Sequence, residues 1–233
     1  MEQSEEGRQK VSSQLSTQAI DSAILLATAI GLVAAYIVVP SDSALVFAYS
    51  DPSVLTMWTA AAQHDSISHL VSNVVTYALV VGITYLIYLK QKRRSLFWII
   101  VAGCLLIAPL LTTAGDYWLL VVHWDVVAPT ATAQGFSGVV SALVGVLFVS
   151  LIGSTASVVA HDRIKTNQPQ WPLLGVGWVV VLVMTVTLLQ ISVDPDGRLV
   201  NGFAHLVGLS TGGLIATTVL LCDRYRTASK SEQ

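Results

Sequence analysis

The chain has 233 residues, 54% of them hydrophobic and only 11% charged, with a formal net charge of −2. So apolar a composition excludes a soluble globular domain and describes a polytopic membrane protein, and the slightly acidic balance argues against a nucleic-acid partner. Its two cysteines, Cys104 and Cys222, lie in or beside apolar runs, so neither a disulfide nor a metal site is expected, and no cofactor is implied.

The chain opens with a polar stretch, Met1-Glu2-Gln3-Ser4-Glu5-Glu6, that lacks the apolar centre of a cleavable signal. Six apolar runs follow, at 19–39, 67–89, 95–113, 136–153, 172–192 and 202–222, the fourth being the shortest. Each is near the ~20 residues that a helix needs to cross a bilayer. The expected fold is an all-α membrane protein with a six-transmembrane-helix core over 19–222 and short tails at 1–18 and 223–233. The stretch Tyr117–Trp124 is apolar but too short to cross alone, and it is assigned to a loop. No internal repeat is visible.

Charge sets the expected orientation. Eleven of the twelve basic residues fall in segments that six spans place on one side: Arg8, Lys10, Lys90, Lys92, Arg93, Arg94, Arg163, Lys165, Arg224, Arg226 and Lys230; Arg198 is the exception. The opposite loops carry Asp42, Asp51, Asp65, Asp116, Asp125, Asp194 and Asp196. Positive charge stays on the cytoplasmic side, so both termini are expected there, in a multi-pass protein of the cell membrane. Spans 2, 4 and 6 then start outside and run inward. The first external loop, 41–66, is too apolar for free solution; with Tyr49 and Trp58 it suits the outer leaflet. The last, Val193–Val200, is short and carries the turn Asp194-Pro195-Asp196-Gly197.

The polar residues of chemical interest lie at the outer ends of the inward-running spans. Span 2 opens with His64, His69 and Asn73. The last two are four apart and share one helix face, which is costly in a membrane unless it meets the interior or a wet cavity. Span 4 opens with Gly135-Phe136-Ser137-Gly138. A serine in the first turn of a helix lies among backbone N–H groups that have no intrahelical partner, at the positive end of the dipole. Span 6 opens with Asn201 to Gly212, placing His205, Gly208 and Gly212 on one face. Gly138, Ser141 and Gly145 on span 4 and Gly208 and Gly212 on span 6 are small enough for close backbone approach. That approach would bring the Ser137 hydroxyl within reach of the His205 imidazole, which could take its proton and pass it to a leaving amine. Taken singly, each motif has a plainer meaning. Gly135–Gly138 could be a cap, His205 a packed polar residue, and His69 with Asn73 an interhelical hydrogen-bond pair. His64 reads as structural, tying down the first loop; His123 and His161 read as loop histidines, and Ser141 and Gly145 as packing residues. The meeting of three polar signals at one depth favours catalysis.

These motifs resemble those of the rhomboid intramembrane serine proteases. The family pattern of a histidine, four residues, a second histidine, three residues and an asparagine is matched by His64, His69 and Asn73. Its Gly-x-Ser-Gly is matched by Gly135, Ser137 and Gly138, and its Ala-His-x-x-Gly-x-x-x-Gly by Ala204, His205, Gly208 and Gly212. The likeness covers about residues 19–222. It implies a Ser137–His205 dyad without an aspartate, and an oxyanion hole made by His69, Asn73 and the Ser137 backbone N–H. It also implies single-span membrane proteins as substrates, cut near the outer interface where their helices unwind, in a cavity open to the extracytoplasmic side. Val193–Val200 would be its lid and span 5 its lateral gate. Two departures stand out. Ser141 occupies a position that is often aromatic, and Trp58 is followed by Thr59 where a Trp-Arg pair is common. The alternatives are an inactive rhomboid-like protein that binds membrane clients, or a transporter or channel. The latter would call for inverted repeats and polar residues deep in the spans, and the sequence has neither.

Overall fold

The computed structural model describes residues 2–40, 44–125, 131–161, 171–188, 192–193, 199–200 and 202–231. These residues form seven α-helices: α1 (Glu2–Val38), α2 (Val54–Thr59), α3 (Ile67–Lys90), α4 (Arg94–Asp116), α5 (Ser137–His161), α6 (Trp171–Leu188) and α7 (Gly202–Ser231). Two antiparallel pairs of two-residue strands complete the described structure, β1 (Phe47–Ala48) with β2 (Thr132–Ala133) and β3 (Ser192–Val193) with β4 (Leu199–Val200).

Among the described residues, five segments are long and apolar enough to cross a membrane: Leu15–Val38, Ile67–Lys90, Arg94–His123, Ser137–Val159 and Gly202–Lys230. The sixth expected span, 172–192, appears as the shorter apolar helix Trp171–Thr187, and residues 189–191 lie outside the described part. Two expectations are corrected. Tyr117–Trp124 is not a loop: Tyr117–His123 continues α4 as a π-helical segment, with its own turns satisfying the backbone in an apolar setting. The fourth run is not the shortest helix, because α5 continues to His161. Its polar end hides the continuation from hydropathy, yet those hydroxyls bond back to the helix, Ser154 Oγ to the Ser150 carbonyl (2.7 Å) and Ser157 Oγ to that of Gly153 (2.9 Å). The residues of the expected tails continue the helices, since α1 begins at Glu2 and α7 runs to Ser231. Once nucleated, a helix extends readily into polar sequence.

Helix α5 is the centre. It is apolar nearly all round, as suits the most buried of the spanning helices, and Val139, Val140, Ala142, Leu143, Val144, Val146, Leu147 and Leu151 are buried. Around it pack α3, α4, α6 and α7, while α1 lies outside against α3. The α5–α7 contact is backbone on backbone. A Cβ on Gly208 would strike the Gly138 carbonyl, one on Gly212 the Ala142 carbonyl, and one on Gly145 the Leu209 carbonyl. Gly138 itself turns its Cα toward Thr112 of α4, whose Oγ1 would lie 2.8 Å from an added Cβ. Pro109, inside α4, lacks the N–H that a helix bond requires. Thr112 Oγ1 lies in the following turn and donates to the Ala108 carbonyl at 2.7 Å.

Buried charge joins α1, α3 and α4 at one end. Asp21 is wholly buried within the apolar part of α1. Its carboxylate accepts from Tyr85 Oη at 2.8 Å and Trp98 Nε1 at 3.1 Å and forms a two-pronged ion pair with Arg94. A carboxylate there is tolerated only because each oxygen has donors. At the other end the 44–62 segment folds down. Pairing of β1 with β2, the Tyr49 N–H to the Ala131 carbonyl (3.2 Å) and Tyr49 Oη to Asp116 (2.9 Å) bind it to α4 and to the strand leading into α5. Burial, with the Asp116 carboxylate close by, raises the Tyr49 phenol pKa and keeps it protonated as a donor.

Candidate active site

Helices α3, α5 and α7 begin at the same end of the bundle. Helices α5 and α7 run parallel, with Gly138 level with Gly208 and Ala142 level with Gly212. By that register His205, one turn before Gly208, lies in the first turn of α7 at the level where α5 starts with Ser137. Both residues are half-buried, between the closed core and the outside. The turn at which Ser137 sits is set by its neighbours. Gly135 adopts φ +123°, which a side chain would strain, and its N–H donates to the Ala60 carbonyl at 2.9 Å. Phe136 is buried edge-to-face on Tyr77, with ring centroids 5.8 Å apart. Anchored on both sides, Ser137 becomes the first residue of α5, with the free N–H groups of that turn around it.

His64 organises the wall between α3 and this turn. Its ring is 2% exposed, and its Nε2 accepts from Asn73 Nδ2 at 3.0 Å and from the Phe136 N–H at 3.5 Å. Both partners can only donate, so His64 is neutral with its proton on Nδ1. Burial pushes its pKa down from 6.5 to about 4, and the neighbouring His69 adds to the shift. One of the two Asn73 amide hydrogens is therefore committed to His64.

His69 lies across the chain from Gly135. A Cβ on that glycine would sit 2.6 Å from its Cε1 and 2.9 Å from its Nε2, so the ring occupies the space that a side chain would fill. Ser66 caps α3 by accepting the His69 backbone N–H at 3.3 Å. The ring's other nitrogen, Nδ1, is 2.9 Å from Asp65 Oδ1. Burial acts to raise the Asp65 carboxyl, but the hydrogen bond and charge of His69 and the Ser66 hydroxyl outweigh it, and the net direction is down. Asp65 carries no part in the sequence reading except as an external acid. Its place four residues before His69, just ahead of the capping Ser66, was the signal available.

The remaining expected residues fall as follows. Ser141 is fully buried, with its hydroxyl donated to the Ser137 carbonyl at 2.7 Å and its Cβ 3.0 Å from where a Cβ on Gly208 would stand. An aromatic ring in its place would force α7 away. His123 is not a loop residue but ends the π-helical segment, stacked on Trp118 at 5.4 Å, and His161 is the last residue of α5. The flanks of Val193–Val200 pair as β3 and β4, whereas Asp194–Arg198 lies outside the described residues, as do Asn201, Arg163 and Lys165. Among the described residues there is no cluster of side chains suited to hold a metal ion.

A half-buried hydroxyl at a helix start, an imidazole level with it on a parallel helix, and a polar wall of His64, His69 and Asn73 form a site suited to nucleophilic chemistry on a carbonyl. The family model described as the Rhomboid domain matches residues 51–222. Among the curated proteins, none matches this chain.

Proposed function

Because the chain belongs to the rhomboid family, we propose that it is an intramembrane serine endopeptidase of the cell membrane. It cuts single-span transmembrane proteins near the outer interface, with its active site open to the extracytoplasmic side. Six spans with both termini cytoplasmic accord with the basic residues that flank them. Ser137 is the nucleophile and His205 the general base. The Ser137 hydroxyl adds to the scissile carbonyl as His205 takes its proton, and His205 then gives that proton to the departing amine. Water repeats the sequence on the acyl-enzyme and releases the second product. The Ser137 backbone N–H, His69 and the second amide hydrogen of Asn73 stabilise the oxyanion. A substrate helix must unwind first, since its carbonyls are otherwise tied up in its own hydrogen bonds. Helix α6, which packs chiefly on α5 and little on α7, is the lateral gate, and Val193–Val200 the lid.

The observation that carries this reading is the glycine-mediated register of α5 and α7, which brings the first turns bearing Ser137 and His205 level. The test is cleavage of a panel of single-span substrates in proteoliposomes, with fluorophosphonate labelling alongside. Ser137→Ala and His205→Ala should each abolish cleavage, and the double variant should be no worse, because the two act as a unit. Only Ser137→Ala must lose the label outright. Cleavage that survives Ser137→Ala discards the reading. A folded wild type that neither labels nor cuts, yet still retains membrane clients, means a client-binding protein instead.

A further inference from the structure

The first turn of α7 carries His205, yet it lies ahead of the glycine contacts that register α7 on α5. Those begin at Gly208, and α6 packs little on α7. The turn is also met from the α4 side. Gly115 faces Val207, whose Cγ1 and Cγ2 would each lie 3.4 Å from an added Cβ. Beyond Gly115, α4 widens into the π-helical segment Tyr117–His123, and the Trp124 N–H donates at 2.9 Å to the Leu119 carbonyl, five residues back. The wider turn sets Trp118 and His123 face to face, with ring centroids 5.4 Å apart and planes within 7°. On an α-helix, residues five apart point about 140° away from each other. The segment ends one residue before Trp124, so the π turn also sets where that ring stands. Its centroid is 6.5 Å from that of His123 and 6.3 Å from that of Phe203 on α7, within the range of aromatic contact. Phe203 is two residues before His205. A tryptophan 54% exposed at this level also suits an interfacial anchor, and the two roles predict different behaviour.

We propose that Trp124 is a positioning residue for the base. The π-helical segment seats its indole on Phe203 and so holds the first turn of α7, and with it His205, level with Ser137. The N–H groups of a helix's first turn have no partners within the helix, so that turn frays unless something packs on it. A loose turn would let His205 drift out of reach of the hydroxyl, which lowers turnover without changing how substrate binds. The inference rests on the protease reading and adds a residue outside its three matched motifs.

The test uses full-length protein in nanodiscs and reads turnover and the His205 ring separately. Trp124→Ala should lower kcat by about 10-fold, part of the ~100-fold that misplacement by about 1 Å costs, and leave KM unchanged. Trp124→Phe, which keeps a ring, should recover most of the loss. Phe203→Ala should cost about as much as Trp124→Ala, and the double variant should cost no more than either alone. Ring carbon signals of histidine-labelled protein, with His205 assigned by its loss in His205→Ala, should shift or split in Trp124→Ala. They should stay in place in Trp58→Ala, which removes an exposed tryptophan of α2. Losses that add in the double variant mean an interfacial anchor and overturn the inference. Wild-type kcat in Trp124→Ala, with Ser137→Ala still dead, overturns it too, and both results leave the protease reading intact. A His205 signal unmoved in Trp124→Ala overturns it whatever the kinetics. A wild type inert to substrate and to the fluorophosphonate overturns the protease reading instead, and the His205 signal still decides whether Trp124 holds that turn.

Discussion

The two ends of the helical bundle handle polar groups in opposite ways. At the end where α4 begins, Asp21, Tyr85, Arg94 and Trp98 satisfy one another, and Gln91 Nε2 donates to Ser154 Oγ at 2.7 Å. Arg93 reaches Asp223 of α7 at 3.8 Å. At the end where α3, α5 and α7 begin, the polar groups are held but not all used up. His69 is tied by one nitrogen and presents the other, and Asn73 has spent one amide hydrogen. The first end shows polar groups as fasteners. The second shows them oriented by neighbours, with His69 Nε2 left facing Gly135, two residues before Ser137. The same low-dielectric setting makes the first end costly to break and would make the second effective in the proposed chemistry.

The contrast can be broken most sharply through α7. After the dyad variants, the largest expected loss is in Gly212→Leu, whose side chain would enter the Ala142 backbone and lift His205 away from Ser137. The variant should insert and be retained in the membrane fraction, yet cut substrate at least ~100-fold more slowly, since misplacement by about 1 Å costs that much. Gly153→Ala, with open space around it, should cut normally. Equal activity in both would refute the α5–α7 contact as the device that aligns the site.

Arg94→Ala attacks the fastening end. It leaves the Asp21 carboxylate buried with only the Tyr85 and Trp98 donors, and the melting temperature in detergent should fall by about 5 °C. Turnover at low temperature should stay near wild type. Asp21→Asn added to Arg94→Ala should recover much of the loss by removing the stranded charge. A loss of turnover without a loss of stability would mean that the two ends are coupled.

Acid sharpens the comparison from the other side. The folded pKa of His64, about 4, lies below its ordinary 6.5, so the unfolded chain binds the proton more readily. The contribution of His64 is complete above pH 6.5 and is lost as pH falls from there toward 4. Below about 4 the ring protonates in the fold, and Nε2 can no longer accept from Asn73 and Phe136. Melting temperatures taken across this range should slope downward with acid in wild type and less steeply in His64→Asn. The smallest effect belongs to Ser141→Ala. Its hydroxyl only bonds back to the Ser137 carbonyl, so cleavage should stay within about two-fold, a change of under ~0.5 kcal/mol in the barrier.

Much of this was legible because membrane helices announce themselves by length and hydropathy, and because His69, Ser137 and His205 each stand at the start of an apolar run. Less legible was anything that depends on which helix meets which. Tyr117–His123 reads as too short to span, since the π-helical continuation of α4 has no composition of its own. Asp21 plays no part in the sequence reading, because its partners are sixty and more residues away. The hold of Tyr49 and Ala60 on residues 131–135 joins two loops that share no pattern.

By itself, then, the sequence determined the apolar segments, their charged flanks and the small residues that allow two helices to touch, because each is written within a few turns of chain. Only the tertiary structure decided that Gly138 faces Thr112 with its Cα while lending its carbonyl to Gly208, and that Asn73 spends a hydrogen on His64. It also decided that His69 turns Nε2 toward Gly135. These are choices of direction. A helical residue's identity fixes what it can bond, but the rotation and register of its helix against four neighbours fix where that bond points, and those follow from the packing of the whole bundle.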